Sequence, residues 1–239
     1  MYSQRKHPSR VPRKAGFSLI ELLTVIAIIS ILMTVGAIGI GSLLGGKGIT
    51  SGVASAESVF DEARSTAVSQ RTKARVLIDV TDPSKPTYLR RMLVAYEELD
   101  NEGNPKTDQW TISNRGLMLP DQVYFSQNYS KKSLTSGGGL DKMNLNNVAR
   151  DYRGEYYYYE FNAEGICRPP STSDAVGSEK PGNATFVLGT GVREPNSSEP
   201  RVTAATKRDF GGFVIWRNGR TSVFRNPNQI NIPENVSKF

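Results

Sequence analysis

The sequence predicts an α+β protein in which a long N-terminal α-helix, apolar in its first half and amphipathic in its second, packs on a mainly antiparallel β-sheet domain. Three observations lead there. Residues 17–44 form a run of 28 positions in which Glu21 is the only charge. Val53, Ala56, Val59, Phe60, Ala63, Ala67 and Val68 then recur at helical spacing, with Glu57, Asp61, Glu62 and Arg64 between them. From residue 75 on, short aromatic and β-branched runs are separated by turn residues, the pattern of hairpin-connected strands.

Arg5, Lys6, Arg10, Arg13 and Lys14 stand before the apolar run without any acid. Basic residues on this flank hold an N-terminus in the cytoplasm. At about 1.5 Å per residue, 28 helical residues reach about 42 Å, enough to span a bilayer with a turn or two to spare. The chain from about residue 45 is therefore expected across the membrane. Gly36, Gly39 and Gly41 each cost about 1 kcal/mol relative to alanine in a helix interior. They predict a segment able to loosen, small-residue helix packing being the alternative. GGKGITSG, residues 45–52, reads as a Gly-rich break before the amphipathic half, which is expected over 45–75.

The globular part is expected over 76–239. Strands are predicted at RVLIDV (75–80), YLRRMLVAYEEL (88–99), QWTIS around Trp110, QVYFS around Val123, YYYYEF from Tyr156, TFVLG from Thr185, GGFVIW from Gly211 and RTSVF from Arg220. Asp82-Pro83 and Asn101-Glu102-Gly103 mark turns, and Arg217-Asn218-Gly219 carries the strongest hairpin signal. Alternation in a strand places two of Tyr156–Tyr159 on the core and two outside. Polar stretches at 126–153, 168–183 and 190–209 read as surface loops, longer than a compact domain usually holds.

Composition narrows the chemistry. Of the formal charge of +7, five belong to the basic residues before Phe17, leaving two for the rest, so a mildly basic solvated surface is expected instead of a phosphate-binding stripe. Polyanion contact, if present, would fall to Lys131, Lys132, Arg201, Lys207 and Arg208. Cys167 is the only cysteine, so the fold holds without an internal disulfide. The only histidine, His7, precedes the apolar run, so no Ser-His-Asp, Cys-His or histidine-zinc site can form after it. No enzymatic activity, cofactor or metal is expected. Asp79, Asp82, Asp100 and Glu102 read as turn chemistry.

A carboxylate inside an apolar run costs roughly 2.5–3.5 kcal/mol on insertion scales, so Glu21 calls for a partner. A secretory signal peptide would use Ala54-Ser55-Ala56 as its cleavage site, but the apolar run is about twice the usual length. A plain signal anchor leaves Glu21 without a role. GFSLIELL, with Gly16, Phe17 and Glu21 behind a basic leader and ahead of a long apolar helix, resembles the type IV prepilin signature. FDEARSTAVSQRTKARVLIDV, GLMLPDQVYF, FNAEG and GGFVIWRNGRTSVF follow the order of the pseudopilin H and FimT-like family of type II secretion and type IV pili. The absence of a C-terminal cysteine pair separates the chain from disulfide-looped major pilins.

The resemblance implies removal of a leader, 1–16, by a prepilin peptidase cutting after Gly16, with N-methylation of Phe17. It implies a structural subunit that polymerises helically through 17–44 with other pilin or pseudopilin subunits, driven by an inner-membrane assembly platform and its ATPase. Localisation would be single-pass in the inner membrane, then a surface pilus or periplasmic pseudopilus. Glu21 would set register by meeting the terminal amine of a neighbouring subunit; neutralising its own terminus as an i, i+4 pair with Phe17 is the other reading of the same residue. A DNA-binding or adhesive minor pilin, and more remotely a signal-anchored envelope enzyme, are the alternatives.

Overall fold

The computed structural model describes residues 19–133, 138–168, 183–203, 209–224 and 226–239, with only the backbone described at 31–47 and 168. The chain divides into two compact units, Met1–Gly41 and Ser42–Phe239. Helix α1, Leu19–Gln70, contributes to both. Its backbone stays helical at Gly36, Gly39 and Gly41 and throughout 45–52, where the sequence predicts a break. Within the second unit the reason is packing. A Cβ on Gly52 would sit 3.3 Å from the side chains of Leu188 and Val123, so glycine lets the helix lie close to the sheet. The helix ends at Gln70, five residues before the expected boundary, as Arg71 turns left-handed at φ 54°.

Eleven strands follow among the described residues. One antiparallel sheet has the order β3-β2-β1-β7-β6, built from β1 (Ala74–Asp79), β2 (Arg91–Leu99), β3 (Pro105–Ile112), β6 (Lys142–Leu145) and β7 (Gly154–Phe161). Short β4 (Leu117–Met118) and β8 (Cys167–Arg168) pair with β2 and β7. The other sheet has the order β11-β10-β9-β5, from β5 (Val123–Phe125), β9 (Ala184–Thr190), β10 (Phe210–Ile215) and β11 (Thr221–Val223). All eight predicted strands are present. β4, β6 and β8 are additional, and β6 lies inside a stretch read as surface loop.

The main core lies between the helix and both sheets. Ile49, Val53, Ala56, Val59, Phe60, Ala63 and Ala67 are buried in one cluster with residues of β1, β2, β7, β9 and β10. Val68, expected in the stripe, is exposed instead. Phe60 meets Tyr159 and Phe161 of one sheet and Phe186 and Phe213 of the other, all edge-on at ring distances of 5.0–6.2 Å. Tyr159 also donates its hydroxyl to the Thr185 carbonyl at 2.7 Å, a buried bond from one sheet to the other. Two polar ties fix the helix at its flanks: Glu62 accepts from Ser113 and Asn114, and Glu57 accepts from Thr221.

Each sheet is also covered on its far side. Leu77, Leu93, Trp110, Leu145 and Tyr156 form a second cluster, and Val187, Phe210, Phe224, Ile232 and Phe239 a third. Strand β9 is accordingly buried at all seven of its residues, with the apolar stretch Phe186–Leu188 at its centre. The tyrosine run corrects one expectation for the same reason. Tyr159 and Tyr157 face the main core, but Tyr156 on the opposite face is fully buried under segment 143–152. The hairpin joining β10 and β11 turns at Gly219, φ 75°, where a Cβ would collide with the Gly165 carbonyl. Cys167, packed in the main core, has its thiol pushed up to about 12 by burial, with the Glu160 carboxylate adding to the shift.

Three consequences can be measured on the full chain in detergent. Phe60→Ala removes the ring shared by both sheets, and guanidinium unfolding should show a loss of about 3–5 kcal/mol. Gly219→Ala should cost about 1–3 kcal/mol, since both the left-handed backbone and the Gly165 contact resist a side chain; an unchanged midpoint would mean the turn is free to shift. Because only the thiolate reacts, Cys167 should stay unlabelled by a disulfide reagent at pH 8 in native conditions and label in proportion to the unfolded fraction as guanidinium rises.

Candidate assembly site

The described part of the first unit is helical, and its side chains are seen over residues 19–30. Leu19, Ile20, Leu22, Leu23, Val25, Ile26, Ile28 and Ile29 are all exposed, Leu19 by 83%. These positions point in every direction around the helix, so there is no single apolar stripe of the kind that docks on one core. A helix apolar all round is one whose surface is covered by other hydrophobic matter. Its polar side chains are turned back on the backbone: Thr24 donates to the Glu21 carbonyl at 2.9 Å and Ser30 to the Ile26 carbonyl at 2.8 Å. A hydroxyl paired this way adds little polarity to the helix surface.

Glu21 occupies the first turn of α1, the end at which a helix presents unpaired N–H groups and the positive pole of its dipole. It is exposed among the apolar side chains. Gly16 and Phe17 lie outside the described residues, as do the side-chain surroundings of Gly36, Gly39 and Gly41. The expected membrane segment, 17–44, is likewise described only in part. Among the described residues no helix is long and apolar enough to cross a membrane.

Among the described residues, the basic residues singled out in the sequence do not converge on one point. Lys131 bridges Thr185 at the start of β9, while Arg201 bridges Val192 just beyond its end. Seven extended residues separate those two points, about 23 Å at about 3.3 Å each. Lys132 is paired with Asp141, and Arg201 lies 3.3 Å from Glu194. Lys207 and Arg208 fall outside the described residues. The acids read as turn chemistry are used in that way at three sites: Asp79 accepts from the Thr81 N–H, Asp82 from the Ser84 N–H and hydroxyl, and Asp100 from the N–H groups of Glu102 and Asn104. Asp79 also forms a buried ion pair with Arg91 at 2.8 Å, a partnership that 11 intervening residues hide from sequence reading.

Comparison with known proteins bears on the N-terminal segment alone. The family described as the prokaryotic N-terminal methylation motif matches residues 11–44, which include Gly16, Phe17 and Glu21. No curated protein and no solved structure matches the chain. With a helix followed by a mainly antiparallel sheet domain, the architecture is that of an α+β pilin-like fold. Residues 11–44 thus give this chain the N-terminal signature of the type IV pilins and pseudopilins.

Proposed function

We propose that the chain is a structural subunit of a type IV pilus or a type II secretion pseudopilus, cleaved after Gly16, N-methylated on Phe17 and polymerised through its apolar helix. The observation that carries this reading is the methylation motif over 11–44 together with Glu21 in the first turn of a helix whose apolar surface is otherwise exposed. Cleavage at Gly16 would create an ammonium on Phe17. That cation and the Glu21 carboxylate have the same difficulty in apolar surroundings, and pairing relieves both. Met between neighbouring subunits, the pair would fix their axial stagger.

Head-to-tail contact repeated by a rotation that does not close produces an open helical filament. In that arrangement residues 17–44 supply the filament core and the sheet domain is displayed outside. Before assembly the subunit would sit in the inner membrane with the leader in the cytoplasm, served by the prepilin peptidase and then by the assembly platform with its ATPase. The pseudopilin H and FimT-like subfamily is the finer assignment, supported by the order of the helix, the leucine-proline approach to β5 and the terminal hairpin. A role without catalysis is part of the proposal. It is supported by the lack of histidine after His7 and by the buried, proton-holding thiol of Cys167.

The test is the mass of the N-terminal peptide from protein isolated from its native membrane, followed by assembly of a Glu21 variant. The expected peptide begins at Phe17 and carries one extra methyl group. Glu21→Val should be cleaved and retained in the membrane at the wild-type level, yet be lost from sheared filaments by about tenfold or more. An N-terminus at Met1 or near Glu57 would overturn the proposal, and filament incorporation of Glu21→Val at the wild-type level would remove its register role.

A further inference from the structure

A cleft of about 440 Å³ opens beside the first sheet, at the point where the β1–β2 connection meets the segment entering β7. Four cations line it: Lys85 from the connection, Arg91 from the start of β2, and Arg150 and Arg153 from the 3₁₀ turn (Arg150–Tyr152) and the residue after it. Only two acids, Asp79 and Asp151, line it with them. The lining therefore carries a net charge of two positives in a concave space, where low-dielectric walls strengthen the field.

The cations divide into a floor and a rim. Arg91 is the floor. It holds Asp79, itself 2% exposed, at 2.8 Å, donates to the Asp151 carbonyl at 3.1 Å and to the Tyr156 hydroxyl at 3.3 Å, and keeps a buried Nε without a hydrogen-bond partner. Asp79 also accepts from the Thr81 N–H at 3.0 Å, so its charge is fully engaged. The rim is less occupied. Arg153 uses Nε on the Val148 carbonyl and Lys85 has a loose 4.0 Å contact with Asp82, while Arg150 is exposed. The Lys85 backbone is fixed by Arg193, which donates to its carbonyl at 2.8 Å.

We propose that this cleft binds a phosphate-type dianion, with Lys85, Arg150 and Arg153 as the contacting cations, Thr87 at the wall and Arg91 as the charge that holds the floor in place. Planar guanidinium groups meet phosphate oxygens in pairs, and an ammonium adds a point charge. A net charge of two positives suits a dianion better than a monoanion. The dianion is either free phosphate or the terminal phosphate of a monoester, and the two present the same oxygens to the rim. The site does not depend on the filament assignment, since every lining residue belongs to the second unit.

The experiment is calorimetric titration of the full chain in detergent with inorganic phosphate, phenyl phosphate and dimethyl phosphate at low salt. One saturable site is expected for the first two, with the diester monoanion weaker by about tenfold. Whichever of the first two binds tighter identifies the source and supports the site. Arg150→Gln with Arg153→Gln should weaken phosphate by about tenfold or more, with unchanged thermal unfolding because both side chains lie at the rim. Lys131→Gln with Arg201→Gln removes the same charge elsewhere and should leave the affinity within about twofold. Absence of saturable binding, equal loss in both double variants, or a diester bound as tightly as phosphate would each overturn the proposal.

Discussion

The globular unit depends on one constraint: a single helical face has to be buried by two sheets that share no strand pairing. Phe60 meets it by touching aromatic rings from both. Ala56, Ala63 and Ala67 surround it on the same helix face at zero exposure, and their small side chains let both sheets come up to the helix. The bond from Tyr159 to Thr185 then fixes the sheets to each other at a place where an unpaired hydroxyl would be costly. Loss of the ring would therefore loosen three elements together, which is why its removal belongs with the large core substitutions.

Much of this was legible because local and tertiary demands agree. The helical stripe from Val53 to Ala67 and the Asn-Gly turn each carry a pattern that their environment in the fold also requires. The misses occur where tertiary burial adds something that period alone does not encode. KMNL in β6 is short and lacks β-branched residues, so it read as loop. It becomes a strand because β7 offers it an edge, and the segment that follows covers Tyr156. That cover turns a strand expected to face water on one side into one buried on both. At Gly52 a helix-weakening residue marks close packing, and a propensity argument alone took the same residue for a break.

Charge was the least legible property. Lys131, Lys132 and Arg201 stand out by composition, yet the fold sends them to opposite ends of β9 and gives two of them acidic partners. Lys85, Arg91, Arg150 and Arg153 lie in three separate stretches and gave no signal. The topology joins them because β1 pairs with both β2 and β7, bringing the end of one connection against the start of another. Sheet order decides which charges are neighbours, and sheet order is what a single sequence encodes most weakly.

The two halves of α1 divide the energetics of the chain. From Ile49 on, the helix spends its apolar residues on one face and the sheets cover them, so this unit satisfies its own hydrophobic demand. Over residues 19–30 the apolar residues surround the helix and remain exposed in the isolated chain. In the proposed filament, a chain built this way would keep a constant fold while the surroundings of its N-terminal segment changed from lipid to neighbouring helices. Both are apolar, so hydrophobicity alone discriminates poorly between them and cannot set a register. A single carboxylate can, because an unpaired charge in such surroundings is far more costly than a misplaced leucine. That difference is the physical reason to look to Glu21, and not to the leucines and isoleucines around it, for the specificity of the proposed assembly.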